Sequence, residues 1–310
     1  MIWTGLVVLV IILLMVDLLL LHKKGKPITH KKVAIETLLW VTIAGAFSFV
    51  IYWVYNAQLI DNRNQLLPSE AVIKYITSYL IELSLSVDNL FVIAMIFSSF
   101  KIPIKHQHKV LFWGILGAIF FRALMIWAGV ILIHKLSWIT YVFGTFLLFT
   151  AFKMLVKEEE DQTKPSKFKS FLYKHLKVSN TLNGENFWVI ENGVKMVTPL
   201  MVALIMIELT DLLFAVDSIP AILAVTTDPF LVFSSNIFAV LGLRSMYFFL
   251  ANMLEKFHYL KYSVFAILVF VSLKLITLHF YKFPEWFSLV FIAVCLLLGI
   301  LVSLSAKPNK

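Results

Sequence analysis

Two groups of acidic residues lie inside segments that are otherwise apolar. The first segment reads Ile81-Glu-Leu-Ser-Leu-Ser-Val-Asp-Asn-Leu90, and the second reads Thr210-Asp-Leu-Leu-Phe-Ala-Val-Asp-Ser-Ile219. In each segment an acid precedes a second acid by six residues, with valine before the second acid and asparagine or serine after it. Carboxylate and amide oxygens, without cysteine or histidine among them, suit hard cations such as Mg²⁺, Ca²⁺ or Mn²⁺. The motifs therefore favour a site for a hard divalent cation.

Five acids at this depth are the predicted metal ligands: Glu82, Asp88, Glu208, Asp211 and Asp217. An ionised group at the centre of a membrane helix costs about 2.5–3.5 kcal/mol, so five unpaired acids would cost roughly 12–18 kcal/mol. Positive partners are therefore required, and Arg122 and Arg244 are the candidate counter-ions or transport-coupling charges. These two arginines leave a formal charge of −3 on the five acids. One divalent cation with one proton, or three protons, would neutralise it.

The spacing of the acids limits how they can converge. Residues six apart on a continuous helix point about 120° apart, so Glu82 and Asp88 do not share a face. We predict that Asp88 and Asp217 meet between the two motifs, with the other three acids on either side. Three neighbouring polar residues are the predicted support of the ion path: Ser84, Asn89 and Ser218. A protonated or arginine-paired core that only locks the helices together is the structural alternative.

The composition indicates that membrane-spanning helices position these residues. Hydrophobic residues make up 60% of the 310-residue chain and charged residues 15%, against about 45–50% and 25% in soluble domains. The net charge of +9 is not gathered on a water-facing segment, which argues against nucleic acid as a partner. The single cysteine, Cys295, excludes an intrachain disulfide. We expect an all-α polytopic transmembrane helix bundle in contact with the lipid bilayer.

About nine segments are long and apolar enough to cross a bilayer. They lie at about 2–21, 33–57, 71–100, 110–133, 137–156, 196–225, 231–253, 262–280 and 286–305. Nineteen of the 27 lysines and arginines fall on one set of connecting loops and four on the opposite set. Because cytosolic loops carry the positive excess, this bias predicts an outside N-terminus and a cytosolic C-terminus.

The two motifs also predict an internal repeat. Each motif span is followed by a span with Leu-Gly and a buried arginine, and three crossings separate the motifs, so the copies run in opposite directions. Inverted three-helix repeats built around interrupted helices are typical of secondary transporters, and Pro220 favours an interruption in the second copy. The predicted divisions are two N-terminal helices (1–57), repeat 1 (71–156), a cytosolic loop (157–195), repeat 2 (196–280), and a final helix with a cytosolic tail (286–310). Asn192-Gly193 in the loop predicts a hairpin turn.

The motifs resemble those of the TerC family, which is named for tellurium resistance. The resemblance covers roughly residues 70–280, including Ile207-Glu-Leu-Thr-Asp-Leu-Leu-Phe-Ala-Val-Asp-Ser-Ile-Pro-Ala221, and the nine-span form resembles the Alx-like manganese exporter branch. It implies a multi-pass protein of the bacterial inner (cytoplasmic) membrane that exports Mn²⁺, with the intramembrane acids on the five positions named above. Tellurite is an anion that an acidic pocket would repel, so resistance to tellurite or to alkaline pH would be indirect.

The leading hypothesis is a secondary transporter that exports a divalent metal cation, foremost Mn²⁺, from the cytosol. Mn²⁺ is then the transported ion, with Ca²⁺ or another hard divalent cation also fitting, protons as co-substrate and no organic cofactor. The alternative is a membrane partner of the secretion machinery that supplies metal to exported proteins. An intramembrane aspartyl protease is disfavoured, because five acids with two arginines suit ion charge balance better than a shared-proton pair. We therefore expect no enzymatic activity.

Overall fold

The computed structural model of the protein describes most of the chain. The described residues are 2–20, 30–62, 64–136, 138–156, 178–179, 184, 186–191, 193–251, 260–277, 280–281 and 283–305. Residues 157–177 of the predicted cytosolic loop and the tail from 306 onward lie outside this set. Asp88 lies in a described helix, but its side chain is outside the described part.

Nine helices lie within the described residues, at the positions of the nine predicted spans. They are α1 (Ile2–Leu20), α2 (His30–Asn56), α3 (Pro68–Ser99), α4 (Ile104–Lys135), α5 (Ile139–Val156), α6 (Pro199–Leu223), α7 (Pro229–Ala251), α8 (Leu260–Thr277) and α9 (Glu285–Ser305). Five of them, α2, α4, α6, α7 and α9, contain stretches long and apolar enough to cross a membrane by length and composition. The protein is thus an all-α membrane protein in its architecture.

A short hairpin precedes α6. Strand β1 (Trp188–Glu191) pairs antiparallel with strand β2 (Val194–Val197), with Glu191 opposite Val194. Gly193 in the two-residue turn has a φ of 76°, which glycine adopts without steric cost. The hairpin turn predicted at this position is confirmed, although Asn192 itself lies outside the described residues.

The two motif helices are unbroken. Both α3 and α6 run as continuous α-helices through their acidic residues, and α6 continues past Pro220 to Leu223. The predicted interruption is therefore wrong. Pro220 lies in the last turn of α6, so the carbonyl of Val216 loses its usual donor only just before the helix ends at Leu223.

Two hydrogen bonds fix the relative direction of α3 and α6, the helices that carry the two motifs. At one end Lys74 donates from Nζ to the carbonyl oxygen of Val225, just after α6, at 3.0 Å. At mid-length Asn89 donates from Nδ2 to Asp211 Oδ1 at 2.9 Å. Residue numbers rise along α3 as they fall along α6, so these helices are antiparallel.

The following helices pair in the same manner. Tyr247 of α7 donates from its hydroxyl to Gln107 of α4 at 3.0 Å, and Arg122 lies farther along α4 beside Asn236. Helices α4 and α7 are therefore antiparallel. In α5 and α8 a Cβ on Gly144 would lie 2.6 Å from Ile276, while the rings of Phe152 and Phe265 are 5.5 Å apart. These two helices are antiparallel as well.

The bundle contains two apolar clusters with a polar layer between them. On α4, Ala118 belongs to the first cluster and Ile126 to the second, so Arg122 lies about one turn from each. Three other polar residues lie between the clusters in the same way: Asn89, Asp211 and Asn236. For each of them, the residue four positions before belongs to one cluster and the residue four positions after belongs to the other. Four helices therefore bring polar side chains to one level of the bundle.

Candidate functional site

The guanidinium group of Arg122 is the centre of the polar layer. It forms an ion pair with Glu82 of α3 and a second with Asp211 of α6. The contact with Asp211 is bidentate, from Nη2 to Oδ1 at 2.8 Å and from Nε to Oδ2 at 3.1 Å. Glu82, Arg122 and Asp211 are 0%, 2% and 5% exposed. Two of the five predicted ligands therefore meet at one buried arginine, in the geometry that makes such pairs strong.

Asn236 of α7 adds the fourth helix to this network. Its Nδ2 donates to Glu82 Oε2 at 3.1 Å, and its Oδ1 accepts from Arg122 Nη1 at 3.4 Å. Asn236 was not among the predicted site residues. The signal that could have identified it is the polar run Ser234-Ser235-Asn236 in the middle of an apolar span.

The three predicted supporting residues are all buried, and each has an unsatisfied oxygen. Ser84 Oγ, Asn89 Oδ1 and Ser218 Oγ have no hydrogen-bond partner within the described part of the chain. Buried polar atoms in proteins are nearly always hydrogen-bonded to protein or to ordered water. These oxygens are therefore available to water or to an ion.

A small cavity lies on one side of the network. Its volume is about 20 Å³, and its polar lining comes from Asn89, Asp211 and Arg244. This is enough space for about one water molecule. Arg244 forms an ion pair with Asp17 of α1 at 2.9 Å. Arg244 thus pairs with an acid outside the five predicted ligands, whereas Arg122 contacts two of them.

Glu208 lies at the contact between α4 and α6. Its carboxylate packs directly against Gly117, where a Cβ atom would collide with it. A groove of about 600 Å³ opens there, lined by Glu208 and otherwise by apolar and aromatic side chains. Glu208 Oε2 has no hydrogen-bond partner among the described residues. A carboxylate in such surroundings requires a proton or a cation to neutralise it.

Asp217 and Asp88 complete the predicted set of acids. Asp217 is half-buried, and its Oδ1 accepts a hydrogen bond from Thr150 of α5 at 3.2 Å. The side chain of Asp88 lies outside the described part. The predicted meeting of Asp88 with Asp217 therefore stays a prediction.

The predicted convergence of all five acids does not occur among the described side chains. In that part of the chain, no three His, Cys, Asp or Glu residues are grouped so that they could hold a metal ion. The physical reason is that Arg122 lies between Glu82 and Asp211, while Glu208 contacts α4 and Asp217 contacts α5. The described acids therefore lie at separate positions along the bundle and do not surround one metal site.

Comparisons with known proteins are consistent with this membrane architecture. An uncharacterised membrane protein of Myxococcus xanthus, STKORF319, is 44% identical over 303 residues, covering 97% of this chain and 91% of the relative. The Escherichia coli K12 protein Alx, provisionally named a membrane-bound redox modulator, is 45% identical over 289 residues, or 93% of this chain and 89% of Alx. An uncharacterised membrane protein of Rickettsia bellii is 41% identical over 306 residues, or 98% of this chain and 97% of the relative.

No solved structure matches the chain. Residues 67–310 match the model of the integral membrane protein TerC family, so that α3 to α9 and the whole polar layer lie within the matched region. Because the match covers most of the chain and the relatives are similar over nearly their full length, the protein belongs to the TerC family.

Proposed function

We propose that the protein is a secondary transporter that exports a divalent metal cation, foremost Mn²⁺, from the cytosol. The observation that carries the proposal is the buried layer at the junction of α3, α4, α6 and α7. There the guanidinium of Arg122 contacts two carboxylates and the amide oxygen of Asn236. Beside Asp211, Asn89 Oδ1 has no hydrogen-bond partner among the described residues. Polar residues within membrane spans are costly and mark ion or substrate paths. A path for a cation would account for such costly groups at this depth.

An inverted repeat is part of the proposal. In such a repeat α3, α4 and α5 correspond to α6, α7 and α8, and every corresponding pair must run in opposite directions. The contacts that make α3 and α6, α4 and α7, and α5 and α8 antiparallel support this relation. Rocking of one repeat against the other would then expose the site to each side in turn.

Nine crossings of a bacterial inner membrane, with a cytosolic C-terminus, complete the proposed topology. The excess of lysine and arginine on one set of loops supports this orientation. The bacterial relatives described as membrane proteins support the location. In this orientation α6 carries Glu208, Asp211 and Asp217 at successive depths from the cytosolic side outward.

The atoms available as metal ligands determine which cations we expect. The network offers carboxylate and amide oxygens only, which favour Mn²⁺, Ca²⁺ or another hard divalent cation over copper. Glu208 and Asp217 lie outside the Arg122 ion pairs, so protons could neutralise them as the cation moves. We therefore propose proton-coupled exchange without an organic cofactor and without enzymatic activity.

A second candidate function is supported by the hairpin before α6. Three of its apolar side chains, Trp188, Ile190 and Val194, are 49%, 74% and 40% exposed. An exposed apolar strand pair is suited to contact another protein. A membrane partner of the secretion machinery, which supplies metal to exported proteins, would use this surface. Ile190→Ser should then abolish metal loading of a secreted enzyme, whereas a transporter alone should retain its ion flux.

Transport can be tested with purified protein in liposomes. Uptake of Mn²⁺, Ca²⁺ and Zn²⁺ is measured with and without a proton gradient, in wild type and in Asp217→Asn. We expect Mn²⁺ flux that depends on the gradient and is strongly reduced by Asp217→Asn. Asp61→Asn, which neutralises an exposed acid between α2 and α3, is the matched control and should retain flux. Equal rates in wild-type and empty liposomes would refute the proposal.

A further inference from the structure

The guanidinium group of Arg122 occupies the position that a bound cation would need. It donates to Glu82 Oε1, to both carboxylate oxygens of Asp211 and to Asn236 Oδ1. Carboxylate and carbonyl oxygens of this kind are the ligands of hard divalent cations in proteins. Arg122 is therefore enclosed by the oxygen shell that the proposed cargo requires.

A second observation indicates that this shell can hold a ligand other than Arg122. Asn89 is 1% exposed and donates its amide to Asp211, but its Oδ1 has no hydrogen-bond partner within the described residues. An unsatisfied buried acceptor is costly. The small cavity beside Asn89 and Asp211 is the space in which such a ligand would begin to form contacts.

We propose that Arg122 is a tethered cation, which holds the site in the absence of cargo and is displaced when a divalent cation binds. This inference rests on the proposed transport function. A divalent cation and a guanidinium cannot share the same two carboxylates, because like charges repel strongly where water is excluded. Once Arg122 has left, the carboxylates of Glu82 and Asp211 and the amide oxygens of Asn89 and Asn236 bind the ion.

Glu208 is the group that receives the displaced arginine. It lies three residues before Asp211, which places both side chains on one face of α6. Its carboxylate packs on Gly117, which is five residues before Arg122 on α4. Transfer of the guanidinium from Asp211 to Glu208 keeps the arginine paired while the cation occupies the vacated oxygens. The site thus has two arrangements, and the cargo selects between them.

Equilibrium binding of Mn²⁺ to the purified full chain tests this exchange. If Arg122 fills the site most of the time, its removal raises the binding-competent fraction, so Arg122→Gln should tighten Mn²⁺ binding about tenfold. Glu208→Gln should weaken binding, because the displaced arginine has no acceptor. Both variants should lose flux in liposomes. Lys274→Gln is the control, since Lys274 is a buried cation that donates to Ser288 of α9, and its Mn²⁺ affinity should match wild type.

The result that overturns the inference is weaker or unchanged Mn²⁺ binding in Arg122→Gln that remains folded. If this variant does not fold, Arg122→Lys is used, because lysine keeps the charge but lacks the planar fork of donors that pairs bidentately with Asp211. Arg122→Lys should also bind Mn²⁺ more tightly than wild type, and unchanged or weaker binding would again refute exchange. Added Mn²⁺ should raise the Tm of either variant more than that of wild type, since at equal concentration a ligand with a lower Kd stabilises the folded state more.

The proposed function and this inference fail in different ways. Wild-type protein that neither binds nor transports Mn²⁺, Ca²⁺ or Zn²⁺ would refute both. Wild-type protein that transports Mn²⁺, together with an Arg122→Gln variant that binds it less tightly, would refute only the exchange. Arg122 would then be a structural counter-ion.

Discussion

Arg122 links three side chains from three other helices while being 2% exposed. Burying an ion pair costs much of the attraction that it gains, so the pair is weak evidence for stability. Removing a single member is different, because it leaves an unpaired charge inside the protein. Loss of any one of Glu82, Arg122 and Asp211 should therefore destabilise the protein, because it leaves a buried charge without its partner. This holds whatever the net contribution of the intact network to the free energy of unfolding.

The mutual dependence of these three residues predicts a non-additive effect on stability. Arg122→Met alone should lower the free energy of unfolding by about 3–5 kcal/mol, because two carboxylates lose their partner. The triple variant Glu82→Gln, Arg122→Met, Asp211→Asn removes all three charges and should recover most of that loss. Thermal unfolding in detergent measures both variants. If the triple variant is less stable than Arg122→Met, the three residues do not act as one charged unit.

The sequence singled out the three charged residues of the Arg122 network but not how they pair. Residue type and depth in apolar segments were sufficient to select Glu82, Asp211 and Arg122. Depth cannot tell which arginine meets which acid, and Arg244 pairs with Asp17 because α1 packs beside α7. Asn236 was missed as a site residue because an asparagine in a span is equally expected to join two helices.

At the scale of helices, Gly144 sets the close approach of α5 and α8. An added Cβ would lie 2.6 Å from Ile276 and 3.1 Å from the carbonyl oxygen of Ser272. A backbone atom cannot move aside as a flexible side-chain end can. The contact between these helices therefore requires glycine at this position.

Gly144→Ala should accordingly lower the Tm by several degrees, since overpacking costs about 1–3 kcal/mol. Gly45→Ala on α2 is the matched control, because an added methyl there meets nothing within 4 Å and alanine favours helix. Its Tm should be equal to or above that of wild type. Equal losses in both variants would show that helix packing at Gly144 is not the cause.

Asp228 governs the start of α7, outside the membrane-spanning segments. Its Oδ1 accepts the backbone N–H groups of Phe230 at 2.9 Å and Leu231 at 3.2 Å. Burial raises the pKa of this carboxyl above the ordinary value, and the charge of Asp61 raises it further. Because the folded pKa is raised, the contribution of Asp228 to the free energy of unfolding is full below the unfolded pKa of 3.8. This contribution is lost as the pH rises through the folded pKa.

Asp228→Asn should therefore stabilise the protein near neutral pH. Asparagine caps a helix as well as aspartate does, but it carries no charge to bury. The gain in Tm over wild type should shrink as the pH falls through the raised pKa of Asp228, because its carboxyl then gains its proton. Asp228→Ala, which lacks the cap, should be less stable than Asp228→Asn at every pH. A gain that is independent of pH would contradict the assignment of burial as its cause.

At the scale of the whole molecule, the sequence predicted where the described helices lie. Apolar runs of span length located all nine described helices, and Asn192-Gly193 located the hairpin turn. The predicted interruption failed because Pro220 falls in the last turn of α6 rather than in its middle. The packing of α5 on α8 and of α1 on α7 depends on side-chain shape, which a hydropathy pattern does not describe.

The central claim is that a divalent cation crosses the membrane through the carboxylates around Arg122. The most direct test is Mn²⁺ flux in liposomes for wild type, for the neutral triple variant and for Lys274→Gln. The account predicts flux in wild type and in Lys274→Gln, with the folded triple variant at the rate of empty liposomes. Flux in the triple variant equal to that of wild type would contradict it.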